Sequence, residues 1–207
     1  MKQPVGVILA GGLSRRMGGG DKSLLKIGGR TLLAHVIDRF EPQVASLALN
    51  ANGDTGRFDG YGLPVLPDSI DGFAGPLAGV LAGLDWAVDW GADHVVTAAA
   101  DTPFFPPDLV PRLMMAVEDA GTSIALAATP DPERGQVRHP TFGLWPVALR
   151  DDLRAALQDG LRKVVLWTDK HGAAEAVFPV TRIDPFFNVN TPEDLARAEA
   201  LLTEGAG

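Results

Sequence analysis

The stretch that decides the fold class reads Val5-Gly6-Val7-Ile8-Leu9-Ala10-Gly11-Gly12-Leu13-Ser14-Arg15-Arg16-Met17-Gly18-Gly19-Gly20-Asp21-Lys22. Its apolar start predicts a buried strand. Its glycines permit positive φ values and bring backbone N–H groups close to a polyanion, and its cations add charge-assisted hydrogen bonds. The stretch therefore predicts a strand that leads into a phosphate-binding loop, with a glycine-rich turn that binds nothing as the alternative.

Two well-known phosphate loops do not match this stretch. A Walker A loop needs lysine directly after glycine and before Ser or Thr, but Asp21 stands between Gly20 and Lys22. No G-x-G-x-x-G pattern runs through Gly11 and Gly12. Both the P-loop NTPase class and the dinucleotide-binding Rossmann class lose support.

Composition indicates one globular domain. The chain has 207 residues, of which 46% are hydrophobic and 21% charged. The formal net charge of −8 argues against broad nucleic-acid binding, which needs a basic surface. The segment 15–30 is nevertheless basic, with five cations against the single acid Asp21. This local patch suits a small phosphorylated ligand or, alternatively, a solvated positive surface.

The cysteine count and the N-terminus bear on location. With no cysteine, disulfides, thiolate nucleophiles and cysteine-ligated metal sites are excluded. The apolar run after Lys2 is similar to a signal peptide, but Arg15 and Arg16 follow it and it has no small-residue cleavage site. No run is long enough to span a bilayer. We expect a cytoplasmic protein with no membrane partner.

Apolar strands alternate with helix-period segments, which predicts an α/β fold with a mostly parallel sheet and helices on both of its faces. In the less regular second half, the segment 129–140 is rich in Pro, Gly, Arg and acids, which predicts a surface loop. The predicted strands are 5–9, 46–49, 64–66, 95–100, 124–128, 141–145 and 174–178. The predicted helices include 33–40, 77–88, 109–117, 148–158, 162–171 and a last one capped by Thr191.

Polar residues end several predicted strands. In open α/β sheets, ligands lie outside the carboxyl ends of the strands, where we place Asn50, Asp68 and Asp101. Asn and Asp also form turns, which is the alternative for each of them alone. Asp101 is well placed to hold Mg²⁺, which prefers one or two carboxylates with water and substrate oxygens. Asn188 and Asn190 fall on one side of an extended segment and complete the predicted site, or else serve as a helix cap.

Among the histidines, His139 is the candidate for a binding role, because it stands between Arg138 and Pro140 in the irregular segment. The other histidines suit exposed or capping positions. No H-E-x-x-H or G-x-S-x-G pattern indicates hydrolytic chemistry.

These motifs carry a family resemblance. The residues Leu9-Ala10-Gly11-Gly12, Ser14, Arg16-Met17-Gly18 and Asp21-Lys22 resemble the signature of nucleotidyltransferases. Further motifs resemble those of molybdenum cofactor guanylyltransferases, and they extend over nearly the whole chain. They are Asn50, Asp68, Gly75-Pro76-Leu77-Ala78-Gly79, Asp101-Thr102-Pro103, Arg138-His139-Pro140-Thr141 and Phe187-Asn188-Val189-Asn190-Thr191-Pro192.

The resemblance implies a Rossmann-like nucleotidyltransferase fold in one domain, 1–207, whose N-terminal half binds nucleotide and whose C-terminal half binds a pterin acceptor. It implies Mg²⁺ on Asp101 and transfer of GMP from GTP to the terminal phosphate of molybdopterin-bound molybdenum cofactor. The implied nucleotide-binding residues are Leu9, Ala10, Gly11, Gly12, Arg15, Lys22, Asn50, Asp68, Gly75 and Asp101. The implied catalytic residues are Arg16, Lys22, Asp101, Asn188 and Asn190. The implied acceptor-binding residues are Arg138, His139, Arg162 and Lys163.

One departure concerns Arg162-Lys163, where the family tends to have two arginines; an arginine fork and a lysine point charge bind phosphate differently. The expected partners are GTP, the pterin cofactor and, transiently, cofactor-synthesis proteins and acceptor apoenzymes. The alternatives are a cytidylyltransferase for the same pterin, a sugar-1-phosphate nucleotidyltransferase and a non-catalytic nucleotide-binding regulatory module. Cytidylyl relatives usually read Leu-Ala-Ala-Gly, so Leu9-Ala10-Gly11-Gly12 favours the purine.

Overall fold

Strands and helices alternate along the chain, which the computed structural model describes over residues 2–11, 21–72 and 75–204. The strands are β1 (Val5–Leu9), β2 (Lys26–Ile27), β3 (Arg30–Thr31), β4 (Leu47–Asn50), β5 (Val65–Leu66), β6 (His94–Ala99), β7 (Ala125–Asp131), β8 (Gly135–Pro146) and β9 (Ala174–Val177). The helices are α1 (Leu32–Phe40), α2 (Pro76–Asp89), α3 (Leu109–Ala120), α4 (Arg150–Gln158), α5 (Val164–Lys170) and α6 (Pro192–Glu204).

Over the described residues, the main sheet has seven strands in the order β5-β4-β1-β6-β8-β7-β9. The strands β5, β4, β1 and β6 are mutually parallel, β8 runs antiparallel to both β6 and β7, and β9 is parallel to β7. The small hairpin of β2 and β3 stands apart from it. This arrangement confirms the predicted α/β fold with a mostly parallel sheet.

Helices cover both faces of this sheet. Side chains alternate along a strand, so Ile8 packs with the face that α1 and α3 cover, and Val7 packs with the face that α2 covers. On the second face, Trp145 and Trp167 are fully buried, and Trp145 donates to the Thr97 hydroxyl at 2.9 Å. The predicted layering on both faces is confirmed.

The predicted surface loop over 129–140 is wrong. Strand β7 continues to Asp131 and β8 begins at Gly135, so most of the segment is a hairpin arm with the pairs Ala128↔Arg138 and Pro130↔Gln136. Asp131 Oδ1 accepts the amides of the tight turn, and Gly135 has φ +76°, a value that favours glycine. The cross-strand ladder pairs the backbone groups of a segment whose composition is typical of a loop.

The C-terminal helix begins as predicted. Thr191 Oγ1 accepts the Asp194 amide at 3.2 Å, and Asp194 Oδ2 accepts the amides of Asn190 and Thr191 at 2.9 and 3.0 Å. These hydrogen bonds, the one from Asn190 first, hold the pKa of Asp194 below its ordinary value. The cap fixes Asn190 at the start of α6. No helix in the described ranges is long and apolar enough to cross a membrane.

Candidate active site

The parallel strands bring their carboxyl ends to one edge of the sheet. Asn50 is the last residue of β4, Asp68 follows β5 by two residues, and Asp101 follows β6 by two residues. The late segment joins this edge, because the Val189 amide donates to the Asp101 carbonyl at 2.9 Å. Residues that are far apart in sequence therefore meet there, as the fold class predicts.

A cluster of oxygen atoms surrounds the Lys22 ammonium. Lys22 Nζ lies 2.5 Å from Asp101 Oδ2, 2.5 Å from Asn190 Oδ1 and 3.2 Å from Asn188 Oδ1. The Lys22 side chain is 14% exposed and that of Asp101 24%. Both asparagines reach the same cation, which confirms that they lie on one side of their extended segment.

Lys22 is positioned by the turn that carries it. Asp21 Oδ1 accepts from the Ser23 amide at 3.0 Å and from its hydroxyl at 2.6 Å, and thereby caps the short 3-10 turn Lys22–Leu24. Ser23 is buried beneath that turn. The cap fixes the backbone from which Lys22 reaches Asp101.

The oxygens around Lys22 fit a hard divalent cation. Amide and carboxylate oxygens are its preferred protein ligands, and here they converge on a point that already holds positive charge. No group of three or more His, Cys, Asp or Glu side chains that could hold a metal occurs in the part of the chain that the structure describes. A magnesium site needs only one or two carboxylates, because water and substrate oxygens supply the rest.

A second polar cluster lies at the ends of β4 and β5. Asn50 Nδ2 donates to Asp68 Oδ1 at 2.9 Å and to the Leu66 carbonyl at 3.1 Å. Asn52 Nδ2 donates to Asp68 Oδ2 at 2.8 Å, and the Asp68 amide returns a hydrogen bond to Asn52 Oδ1 at 2.9 Å. The Asp68 carboxylate is held on both oxygens and retains lone pairs for a ligand.

Glycine allows helix α2 to lie against this cluster. A Cβ on Gly79 would lie 2.3 Å from Asn50 Oδ1 and 2.7 Å from Leu9 Cδ2. A Cβ on Gly11 would lie 3.8 Å from the same Asn50 oxygen, which is an ordinary contact distance. Gly75 precedes the helix with φ +155°, in the region that favours glycine. Small residues thus surround the Asn50 amide.

The structure describes the start of the predicted phosphate-binding loop, up to Gly11, and its end, from Asp21 onward. The Ala10 amide donates to the Asn50 carbonyl at 2.9 Å, and the Ala100 amide donates to the Leu9 carbonyl at 3.2 Å. Leu9, Ala10 and Gly11 thereby lie between the ends of β4 and β6. Gly12, Arg15 and Arg16, which carry other predicted contacts, lie outside the described residues.

The predicted acceptor residues Arg138 and His139 lie on opposite faces of the sheet. Arg138 donates to Glu175 Oε1 and Asp169 Oδ1, each at 2.5 Å, on the face of α5. His139 stacks on Phe186 with 4.3 Å between ring centroids and shares a 2.9 Å hydrogen bond with Thr129 Oγ1. Burial holds the pKa of His139 below its ordinary value, so the neutral ring predominates near neutral pH. A flat ligand bound on one face of the sheet can therefore contact Arg138 or His139, but not both.

The other predicted acceptor pair lies in the connection between α4 and α5. Arg162 Nη1 donates to the carbonyls of Leu157 and Leu161 at 3.3 and 2.9 Å. Lys163 is exposed and immediately precedes α5. The structure does not bring this pair into contact with Asp101 or Lys22 through any hydrogen bond among those described.

Two site residues were missed by sequence reasoning. Asn52 follows Asn50 by two residues and binds Asp68, so its position beyond a strand end was a usable signal. Arg57 donates to Asp21 Oδ2 at 2.8 Å across 36 residues of sequence, and no motif marks it.

Comparison with known proteins identifies the family. The model of the MobA-like NTP transferase domain matches residues 6–173. A molybdenum cofactor guanylyltransferase of Bradyrhizobium sp. (strain ORS 278) is 55% identical over 199 residues, covering 95% of this chain and 92% of the relative.

Solved structures share the fold at lower identity. Molybdopterin-guanine dinucleotide biosynthesis protein A from Archaeoglobus fulgidus superposes with a TM-score of 0.73 at 24% identity, over 97% of this chain and 99% of that one. A nucleotidyl transferase from Methanothermobacter thermautotroptrophicus gives 0.75 at 19% identity, over 99% and 100%. The family model and the relative at 55% identity agree: the chain is a nucleotidyltransferase of the MobA-like NTP transferase family and belongs within it to the molybdenum cofactor guanylyltransferases.

Proposed function

We propose that the protein transfers GMP from GTP to the terminal phosphate of molybdopterin-bound molybdenum cofactor, giving the guanine dinucleotide cofactor and pyrophosphate. The observation that carries the proposal is the convergence of Asp101, Asn188 and Asn190 on the Lys22 ammonium at the carboxyl edge of the sheet. In a chain of this family, such a site is suited to a polyphosphate and its cation.

The reaction forms a bond between an acceptor phosphate oxygen and the α-phosphorus of GTP, and breaks the bond from that phosphorus to the oxygen bridging to the β-phosphate. A phosphate monoester is largely doubly ionised near neutral pH, because its second pKa is about 6. The nucleophile therefore needs no strong general base. What the protein must supply is alignment of two polyanions and stabilisation of the charge on the departing pyrophosphate.

The Lys22 cluster suits that task. In the described part of the chain, three oxygen contacts hold its ammonium at the carboxyl edge of the sheet, and a cation that takes over these oxygens would free the ammonium to pair with phosphate oxygens nearby. In the sequence, Arg15 and Arg16 add two positive charges to the segment that precedes Lys22. Bound Mg²⁺, held by Asp101 with Asn188 or Asn190, would neutralise negative charge on the triphosphate. The remaining asparagine orients the acceptor phosphate.

The cluster of Asn50, Asn52 and Asp68 suits the guanine base. Guanine presents N–H donors on its pairing edge, and the Asp68 carboxylate is a fixed acceptor at the neighbouring strand ends. In this proposal the N-terminal half binds GTP and the C-terminal half binds the pterin. Mg²⁺ dependence, cytoplasmic localisation and the transient partners stay predictions.

Of the residues implied for the acceptor, His139 lies on one face of the sheet, and Arg138 lies on the face covered by α4 and α5, whose connection carries Arg162 and Lys163. We assign the pterin contact to His139 and treat Arg138 as a structural anchor for β9. The Arg138 guanidinium is already engaged by Glu175 and Asp169, which raise its pKa further.

The experiment is a reconstituted reaction with GTP, Mg²⁺ and molybdopterin-bound cofactor, followed by mass spectrometry of the pterin product. We expect one pyrophosphate per guanine dinucleotide formed, and none without acceptor. A protein that binds GTP but releases no pyrophosphate with the authentic acceptor is a regulatory module instead. Efficient use of a sugar 1-phosphate in place of the pterin would contradict the assigned acceptor.

A further inference from the structure

Arg57 joins the Lys22 cluster and the Asn50–Asn52–Asp68 cluster of the site, because it contacts one residue that holds each of them in place. Its Nε donates to Asp21 Oδ2 at 2.8 Å, and its Nη2 donates to the Asn52 carbonyl at 3.0 Å. A further bond runs from Nη1 to the Asp54 carbonyl. The side chains of Arg57 and Asp21 are 27% and 11% exposed, so the ion pair is partly shielded from water.

Each end of this contact belongs to a different part of the candidate site. Asp21 caps the turn that carries Lys22, and Asn52 binds the Asp68 carboxylate through its side chain. A continuous path of contacts therefore runs from the Lys22 turn through Asp21, Arg57 and Asn52 to Asp68. The Arg57 guanidinium joins the phosphate end of the site to its base end.

The guanidinium is itself held in place. Arg57 lies in the 3-10 segment Gly56–Tyr61, and its guanidinium carbon is 4.4 Å from the centre of the Phe58 ring. Phe58 is buried in the main core. Three different guanidinium nitrogens donate to three acceptors, an arrangement that a planar fork provides and the single nitrogen of a lysine ammonium does not.

We propose that Arg57 is a positioning residue that fixes the Lys22 turn relative to the Asn52–Asp68 pair, so that the triphosphate and the base of one GTP molecule are bound at the same time. The inference rests on the proposed function, since it takes GTP as the ligand. Arg57 contacts no substrate in this role. It acts by keeping two subsites at the separation that one nucleotide spans, which is the condition for two linked contacts to strengthen each other.

The test compares GTP with guanosine, which has the base but no phosphate, on wild type, Arg57→Ala and Arg57→Lys. We expect Arg57→Ala to bind guanosine as wild type does and to bind GTP about 10-fold or more weakly, because the phosphate end is no longer fixed to the base end. Arg57→Lys keeps the charge but loses the planar fork, so its GTP affinity should lie between those of wild type and Arg57→Ala. Isothermal titration without divalent cation measures all three.

The matched control is Arg154→Ala. Arg154 Nη2 donates to both carboxylate oxygens of Asp85, at 2.6 and 2.8 Å. The Arg154 and Asp85 side chains are 32% and 29% exposed, and the exposed fraction of Arg154 is similar to that of Arg57. Its loss removes a similar ion pair between α4 and α2, and GTP affinity should not change.

A second readout needs no ligand. The Ser23 amide bonds to Asp21, so its hydrogen exchange should be faster in Arg57→Ala than in wild type and in Arg154→Ala. Equal GTP affinity and equal Ser23 exchange in Arg57→Ala and wild type would overturn the inference, and so would a parallel loss of guanosine and GTP affinity. A wild-type protein that binds no GTP would instead contradict the proposed function, while the exchange comparison would still test the link between Arg57 and the Lys22 turn.

Discussion

Lys22 Nζ lies 2.5 Å from Asp101 Oδ2, and the two residues are 79 positions apart in the chain. The ammonium of Lys22 thus lies among the oxygen atoms that suit a divalent cation. In the proposed function, a cation held by Asp101 would therefore compete with the Lys22 ammonium for these oxygens. A bound triphosphate would offer Lys22 other oxygen partners and would leave the carboxylate to the cation.

Lys22→Ala should therefore change two properties in opposite directions. Turnover should fall by roughly 10²–10³, as is common when one preorganised electrostatic contact is lost. Affinity for Mn²⁺ without nucleotide should rise by about 10-fold or more, because a positive charge leaves the position of the cation. Electron paramagnetic resonance of free Mn²⁺ measures the second effect.

The matched control for this variant is Lys170→Ala, which removes a surface ion pair with Asp152 whose lysine side chain is 61% exposed. It should change neither property. Unaltered Mn²⁺ affinity in Lys22→Ala would show that the ammonium and the cation do not compete.

Asp101→Asn should separate binding from chemistry. The amide keeps the shape of the carboxylate but removes the anionic oxygen that a hard cation prefers, so guanylyl transfer should fall steeply. GTP affinity without Mg²⁺ should stay the same or tighten slightly, because one negative charge near the triphosphate is gone. Titration calorimetry and product assays on the same folded variant give both numbers. Transfer near the wild-type rate would remove Asp101 from its assigned role.

Gly79→Ala should lower GTP affinity although alanine favours helices. The added Cβ would meet Asn50 Oδ1 at 2.3 Å and would push the amide away from Asp68. At an open helical site the same change would stabilise by about 1 kcal/mol. Gly60→Ala, where a Cβ meets nothing within 4 Å, is the control. Calorimetric titration with GTP compares the two; equal affinities would show that the Asn50 position is not required.

The stability of the α4–α5 region should depend on acidic pH through Asp152. Hydrogen bonds from Trp167 first, and then from Lys170 and His171, lower the pKa of the Asp152 carboxyl from 3.8 to about 2. The unfolded chain then binds more protons between these values, so the contribution is complete above 3.8 and is lost as the pH falls towards about 2. The difference in free energy of unfolding between wild type and Asp152→Asn should therefore shrink on going from about pH 5 to about pH 3. Urea unfolding measures it, and a difference independent of pH would contradict the assignment.

Strand ends were the part of the site most accessible from sequence. An apolar run that stops at a polar residue marks both the strand and its end, which is why Asn50 and Asp101 fall at the carboxyl edge as predicted. The alternation of Asn188 and Asn190 was equally visible. Both signals are local, and the parallel topology turns them into spatial neighbours.

The residues that were missed or misplaced depend on contacts that local composition does not show. The segment 129–140 has the composition of a loop, but its two halves pair across a short turn, from Ala128↔Arg138 to Asp131↔Gly135. Once it is recognised as a strand, alternation puts Arg138 and His139 on opposite faces, a result that the loop interpretation concealed. Arg57 carries no local signal at all, because its partner Asp21 lies 36 residues away.

The most direct measurement of the central claim is a competition between GTP and CTP at equal concentration, with Mg²⁺ and molybdopterin-bound cofactor as acceptor, in which mass spectrometry counts the two dinucleotide products. A site whose Asp68 carboxylate and asparagine amides pair with guanine should leave polar groups unpaired with cytosine, so the guanine product should exceed the cytosine product by about 100-fold or more. Equal amounts of the two products would contradict guanylyl transfer as the function of this site.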